Sequence, residues 1–344
     1  MHTRRIPLLA ALGAALSAAL IVSPAAANAK EAPGQDKPGH YSFAVIGDVP
    51  YGADQVGAFP SMIDRINAEP GIELAFHVGD IKTGSSPCTD EYNASIRAQF
   101  DRFDTPLVYT PGDNEWTDCH RPAAGGYDPL ERLTAVRAAF FATPGQTLGA
   151  DPIRVDSQAD LGIPENVSLR RQGVAFAALH VVGSNNGLAP WTGLTTPQPA
   201  QLAEEQARMD AVIALVRDTF SDARRRNDRA VVLFQQADMF DPTVAPKPSN
   251  TSAFTRLVQV IVDESGSFGG EVYLIDGDSH RYHVDQPVAA GSSWLDYYGV
   301  VGAADNLTRI TVDGEQQNVD FLKVTVNRPG AEHVLSWERI NYDS

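Results

Sequence analysis

Six short runs of apolar, mostly β-branched residues recur along the chain, and nearly all stop abruptly at polar ones. They cover residues 42–46, 73–78, 106–110, 174–182, 230–234 and 271–275, lengths that suit buried strands. Helical periodicities lie between several of them. The longest spans about residues 199–226 and puts Leu202, Met209, Val212, Ile213, Val216 and Phe220 on one face. Another carries Phe254, Leu257, Val258, Ile261 and Val262 at the spacing of a single apolar stripe. Both stripes read as core faces. Near the C-terminus, "LTRITVDGEQQNVDFLKVTV" reads as two strands about a turn at Asp313-Gly314. The Pro-rich stretches 142–170 and 184–199 read as long loops of the kind that frame a site. Strands alternating with helices, then a β-rich end, predict an α/β fold with mixed sheets in one domain over 41–344.

The first 29 residues stand apart from this pattern. Arg4 and Arg5, an apolar stretch from Ile6 to Val22, and small residues at Ala27 and Ala29 have the layout of a signal peptide cleaved after Ala29. The apolar stretch is short and rich in Ala, which argues against a retained membrane anchor. Residues 30–40, polar and rich in Pro and Gly, read as a disordered leader. The expected location is therefore secreted or periplasmic. A formal net charge of −16 repels nucleic acid and anionic lipid, so neither is an expected partner, and no protein partner can be inferred. A small phosphate ester stays open, because a cation can reverse the field inside a cleft. Of the two cysteines, Cys88 follows the second strand and Cys119 the third; in an oxidising compartment they read as a disulfide rather than a zinc site.

The chemistry is concentrated where strands stop. The first run ends in "VIGDVPYG" with Asp48, the second in "HVGDIKTG" with Asp80, and the third in "TPGDNE" with Asp113, Asn114 and Glu115. The fifth ends in "LFQQAD" with Gln235 and Gln236, and the sixth in "IDGDSHRYH" with Asp278, His280 and His283. One Gly-Asp after a strand is ordinary turn chemistry. Four of them, placed at the carboxyl edge where open α/β sheets bind ligands, converge only if a cation sits between the carboxylates. No G-x-x-x-x-G-K phosphate cradle and no G-x-S-x-G nucleophile motif occurs.

The series GD…GD…GDNE…GDSH resembles the calcineurin-like metallophosphoesterase superfamily over about residues 41–285, and in particular a divergent secreted branch with GD-x-PY and GDNEWTDC segments. The resemblance implies a four-layer α/β/β/α sandwich of two mixed sheets and a two-metal centre. It makes Asp48, Asp80, Asn114, Gln235 or Gln236, Asp278 and His280 the expected ligands, with Asp80 shared. One half-site would hold Asp48, Asp80 and His280, with Tyr51 or water replacing the histidine lost at Pro50. The other would hold Asp80, Asn114, a glutamine amide oxygen and Asp278. Glu115 stands where the family's leaving-group histidine is, with His120 as another proton donor. Lys82, Arg121 and Arg281 are expected to offset substrate charge. Because oxygen donors replace imidazoles, manganese, magnesium or calcium is expected rather than zinc, one or two ions per chain. The function implied is a secreted, metal-dependent phosphoesterase acting on a small phosphate mono- or diester. The alternatives are a non-catalytic relative and a calcium-stabilised surface module.

Overall fold

The computed structural model describes residues 40–343, so the expected signal peptide and nearly all of the expected leader lie outside the described residues. Among the described residues, twelve strands form two sheets. In chain order they are β1 Tyr41–Ile46, β2 Ile72–His77, β3 Leu107–Tyr109, β4 Asp156–Gln158, β5 Ile163–Arg171, β6 Val174–Ala178, β7 Ala230–Phe234, β8 Glu271–Asp276, β9 His283–Asp285, β10 Leu307–Thr311, β11 Asp320–Val326 and β12 Leu335–Asn341. The first sheet runs β12-β11-β1-β2-β3 and the second β4-β5-β6-β7-β8-β10-β9. Parallel pairing of β1-β2-β3 and of β6-β7-β8-β10 sends the strand ends of each group to one edge.

Alternation within each strand builds the layers. Phe43, Val45 and Phe76 face Phe176, Phe234 and Ile275 across the gap between the sheets, with Phe76 stacked on Phe234 at a centroid distance of 3.9 Å. The opposite face of the first sheet, with Ala44, Ile46 and Ala75, packs on Phe59, Ile63, Ile96, Phe100 and Val136 of helices Gly52–Ala68, Asp90–Phe100 and Pro129–Phe140. The outer face of the second sheet, with Leu233 and Leu274, packs on helices Pro199–Arg226 and Thr255–Gly266. The result is a mixed-sheet α/β/β/α sandwich. No helix among the described residues is long and apolar enough to cross a membrane.

Three expectations change. The 142–170 stretch holds β4 and most of β5, whose Glu165 and Asn166 are buried polar residues that mask its alternation. Leu202 is 47% exposed, because in the first turn of its helix it is Gln201 that faces inward, its amide donating to the carbonyls of Gly187 and Ala189. And β10 and β11 do not pair with each other: β10 joins β8 and β9, whereas β11 joins β1 and β12. The segment between them crosses from one sheet to the other, past the edge where the acidic strand ends meet.

Candidate metal centre

At that edge the chain brings together Asp48, Asp80, Asp113, Asp278 and His280. Two groups of ligand atoms, Asp48/Asp80/His280 and Asp80/Asp113/Asp278, each lie within 4.8 Å of one another and share Asp80. The backbone bends sharply to do this. Asp48, Asp80, Asp278 and His280 all adopt left-handed φ, between 52° and 68°, a conformation costing roughly 1–3 kcal/mol per non-Gly residue. Such strain persists only where surrounding contacts fix it. Close packing also requires glycine at Gly112, where a Cβ would stand 2.1 Å from Asp80 Oδ1.

Neutral donors from neighbouring strand ends tie the carboxylates together. Tyr51 OH donates to Asp80 Oδ2 at 2.8 Å and lies 3.4 Å from His280 Nε2. Asn114 Nδ2 donates to Asp80 Oδ2 at 2.8 Å and to Tyr51 OH at 2.9 Å. Gln236 Nε2 reaches Asp80 Oδ2 at 3.2 Å and Asp113 Oδ1 at 3.3 Å. The main-chain N–H of Asp278 donates to Asp48 Oδ2 at 3.0 Å.

The charges are left in tension. Burial, reinforced by the neighbouring carboxylates, pushes Asp80 and Asp278 well above the usual carboxylate range. Burial also raises Asp48, against the pull of His280. For His280, burial disfavours the cation, but its hydrogen bond to Asp48 and the charges of Asp48, Asp278 and Glu315 raise it to about 9. Among the described residues, the partly exposed His280 is the one basic side chain that pairs with these carboxylates, through Nε2 and Asp48 Oδ1 at 3.2 Å.

The remaining expected site residues fall in varied places. Gln235 points elsewhere, donating to Ala237 O at 2.7 Å, so the glutamine of the cluster is Gln236. At the third strand end the carboxylate in the cluster is Asp113, while Asn114 turns its amide N–H₂ inward as a donor. Glu115 is 1% exposed and accepts from Ile81 N and Tyr109 OH, which puts it beneath the loop rather than at an opening. Lys82 is likewise buried, its Nζ spent on the carbonyls of Asn114 and Thr83, which holds the loop and leaves no ammonium for a substrate. His120 is half-buried and bonded to Thr192. Arg121 pairs with Asp118 at 2.5 Å and is partly exposed. Arg281, next to His280 in sequence, is exposed. Cys88 and Cys119 form a disulfide, joining the loops that follow β2 and β3 beneath Asn114.

Two contributors escaped the motif reading. Glu315, in the segment crossing between sheets, places Oε2 3.2 Å from His280 Nδ1. Ser184 places its Oγ 2.9 Å from Asp113 Oδ2 and 2.8 Å from Asp118 Oδ1. Neither lies in a Gly-Asp pattern; the "GSNN" at 183–186, after a strand, is a local signal for a left-handed turn only.

No family model matches the chain, and no curated protein does. Among the solved structures similar to it are three at 10% identity each. They are a purple acid phosphatase from yellow lupin seeds (TM-score 0.46, 89% of this chain and 52% of that one), GAP50, the anchor in the inner membrane complex of Plasmodium (0.46, 88% and 89%), and a 5'-nucleotidase precursor from Thermus thermophilus (0.41, 87% and 54%). This chain spans about half the length of the first and third. At this identity the likeness is one of fold alone.

Proposed function

We propose that this chain is an extracytoplasmic metal-dependent phosphoesterase that hydrolyses a phosphate mono- or diester. The observation that carries this is the pair of three-ligand groups sharing Asp80 at the common strand edge, with no arginine or lysine among them. The donors fit hard divalent cations: four carboxylates and one imidazole, with the neutral groups of Tyr51, Asn114 and Gln236 fixing their orientation. Manganese, magnesium or calcium suits this set better than zinc. Bound there, such ions supply Lewis acidity toward phosphoryl oxygens and lower the pKa of water.

The chain's own groups do the rest. Arg121, partly exposed at the rim and linked through Asp118 and Ser184 to Asp113, is placed to offset the charge of a phosphate ester. Burial, then the Arg121 charge, hold His120 below the usual histidine range. A neutral imidazole there suits accepting a proton rather than giving one to a leaving group. The rival reading, a cation-binding protein without turnover, draws on Pro50 and Gln236 standing where imidazoles are expected.

The test is hydrolysis of aryl phosphate mono- and diesters by the purified chain with added Mn²⁺. Asp80→Asn is expected to cut turnover by about three orders of magnitude, the equivalent of several kcal/mol of transition-state stabilisation. Cation binding without turnover of any ester would favour the rival. Absence of both would sink the metal-centre reading.

A further inference from the structure

The segment Gly183–Asn186 follows the irregular chain after β6 and turns against the cluster. Ser184, Asn185 and Asn186 have φ of 51°, 55° and 55°, three consecutive non-Gly residues in the left-handed region. L-residues visit that region singly; a run of three persists only if the surroundings hold it. They do so here. Asn185 Oδ1 accepts from Ala253 N at 3.1 Å, and its Nδ2 donates to Ser252 Oγ at 3.2 Å. Asn186 Oδ1 and its carbonyl accept from the buried guanidinium of Arg208, at 2.5 and 2.9 Å.

The result of this anchoring appears on the other side of the turn. Gly183 N donates to Gln236 Oε1 at 2.6 Å, which aims the amide N–H₂ of Gln236 at Asp80 and Asp113. A Cβ on Gly183 would stand 2.7 Å from Asp113 Oδ2 and 2.9 Å from both Asp278 oxygens, so the turn is packed against the second group of ligands. Ser184 Oγ then bridges Asp113 Oδ2 and Asp118 Oδ1. Asp113 is thereby held from two sides, by Gln236 on one oxygen and Ser184 on the other. None of the hydrogen bonds described here runs from this turn to Asp48 or His280.

We infer that Ser184 is the positioning residue of the second group alone: held in a left-handed turn, its hydroxyl fixes the Asp113 carboxylate so that Asp80, Asp113 and Asp278 bind a cation of their own. This rests on the metal-centre reading above. Partners that orient a ligand typically contribute 10–100-fold to metal affinity when lost.

The experiment is calorimetric titration of the metal-free full chain with MnCl₂, for wild type, Ser184→Ala and Ser184→Gly. The two variants remove the same hydroxyl, but glycine also relieves the left-handed strain. Wild type is expected to bind two ions per chain. Both variants are expected to keep one binding event at wild-type affinity and to weaken the other about 10–100-fold, with thermal unfolding in excess chelator marking the fold as intact. Equal loss of both events, or of neither, overturns the inference. So does a Ser184→Gly chain that binds as wild type, since backbone shape and not the hydroxyl would then be responsible. A wild-type chain that binds no Mn²⁺ overturns the metal-centre reading itself.

Discussion

Two buried acidic regions lie only a few residues apart in this molecule, and they are neutralised differently. Around β10, Asp238, Asp276 and Asp285 surround Arg309, which is fully buried. Its guanidinium contacts Asp238 through Nη1 and binds Asp285 with Nε and Nη2 at 2.8 and 2.9 Å. Thr311 Oγ1 donates to Asp276 Oδ1 at 2.6 Å. Two residues beyond Asp276, the strand-end cluster gathers Asp48, Asp80, Asp113 and Asp278 around no arginine at all. The nearby ammonium of Lys82 is committed to carbonyl oxygens. A fold that needs buried carboxylates for architecture supplies a guanidinium for them. On the function proposed above, the cluster without one receives its positive charge from a bound cation.

That contrast can be broken most directly at Arg309. Arg309→Met strands Asp238 and Asp276 without a counter-charge and is expected to cost about 3–5 kcal/mol in urea unfolding. Asp278→Asn in the metal-free chain is expected to leave stability unchanged or raise it, because it removes a like charge. A tolerated Arg309→Met together with a crippling Asp278→Asn would remove the distinction between the regions.

A somewhat smaller effect is expected at a third buried carboxylate, Glu165, which has its cation in Arg137 at 2.6 Å and also touches His180 at 2.8 Å. Burial resists its charge, but the hydrogen bond and charge of His180, with those of Arg137, outweigh it and hold its pKa at about 2, below the ordinary 4.5. A lowered carboxylate contributes stability that is fully present above about 4.5 and is lost as pH falls through about 2. The difference corresponds to about 3 kcal/mol. Glu165→Gln should therefore flatten the fall in denaturation midpoint over that acid window, and an unchanged profile would show that the pair contributes nothing.

The complementary test adds a divalent cation. Divalent ion at 100-fold over Kd stabilises by about 2.7 kcal/mol per site. Thermal unfolding with Mn²⁺ and with chelator is expected to differ accordingly in wild type and not in Asp80→Asn. The Arg309 region should show no such dependence.

How far the sequence discloses all this varies residue by residue. Asp48, Asp80 and Asp278 are legible because each follows a strand-length apolar run and a glycine, and parallel strands end at one edge. Asp113 is visible in the same pattern, yet one carboxylate and one amide side by side in "GDNE" do not say which faces inward. Gln235 and Gln236 pose the same question: alternation puts consecutive residues on opposite faces, and only the position of the first sheet, whose strand ends carry Asp80 and Asp113, picks Gln236. Glu115 and Lys82 look like reactive groups in one dimension, and burial turns them into supports for a loop.

What the amino-acid order determined by itself is therefore local: where strands stop, that their ends are acidic, which apolar stripe each long helix buries, and that two cysteines sit in adjacent loops. The tertiary structure alone decided the rest. It carried β10 and β11 into different sheets, which takes Glu315 to His280, and it forced Ser184 into a left-handed turn against Asp113. The reason is physical. A buried polar group must find a partner, and periodicity announces that need, but the partner's identity depends on distances fixed only when two sheets pack face to face.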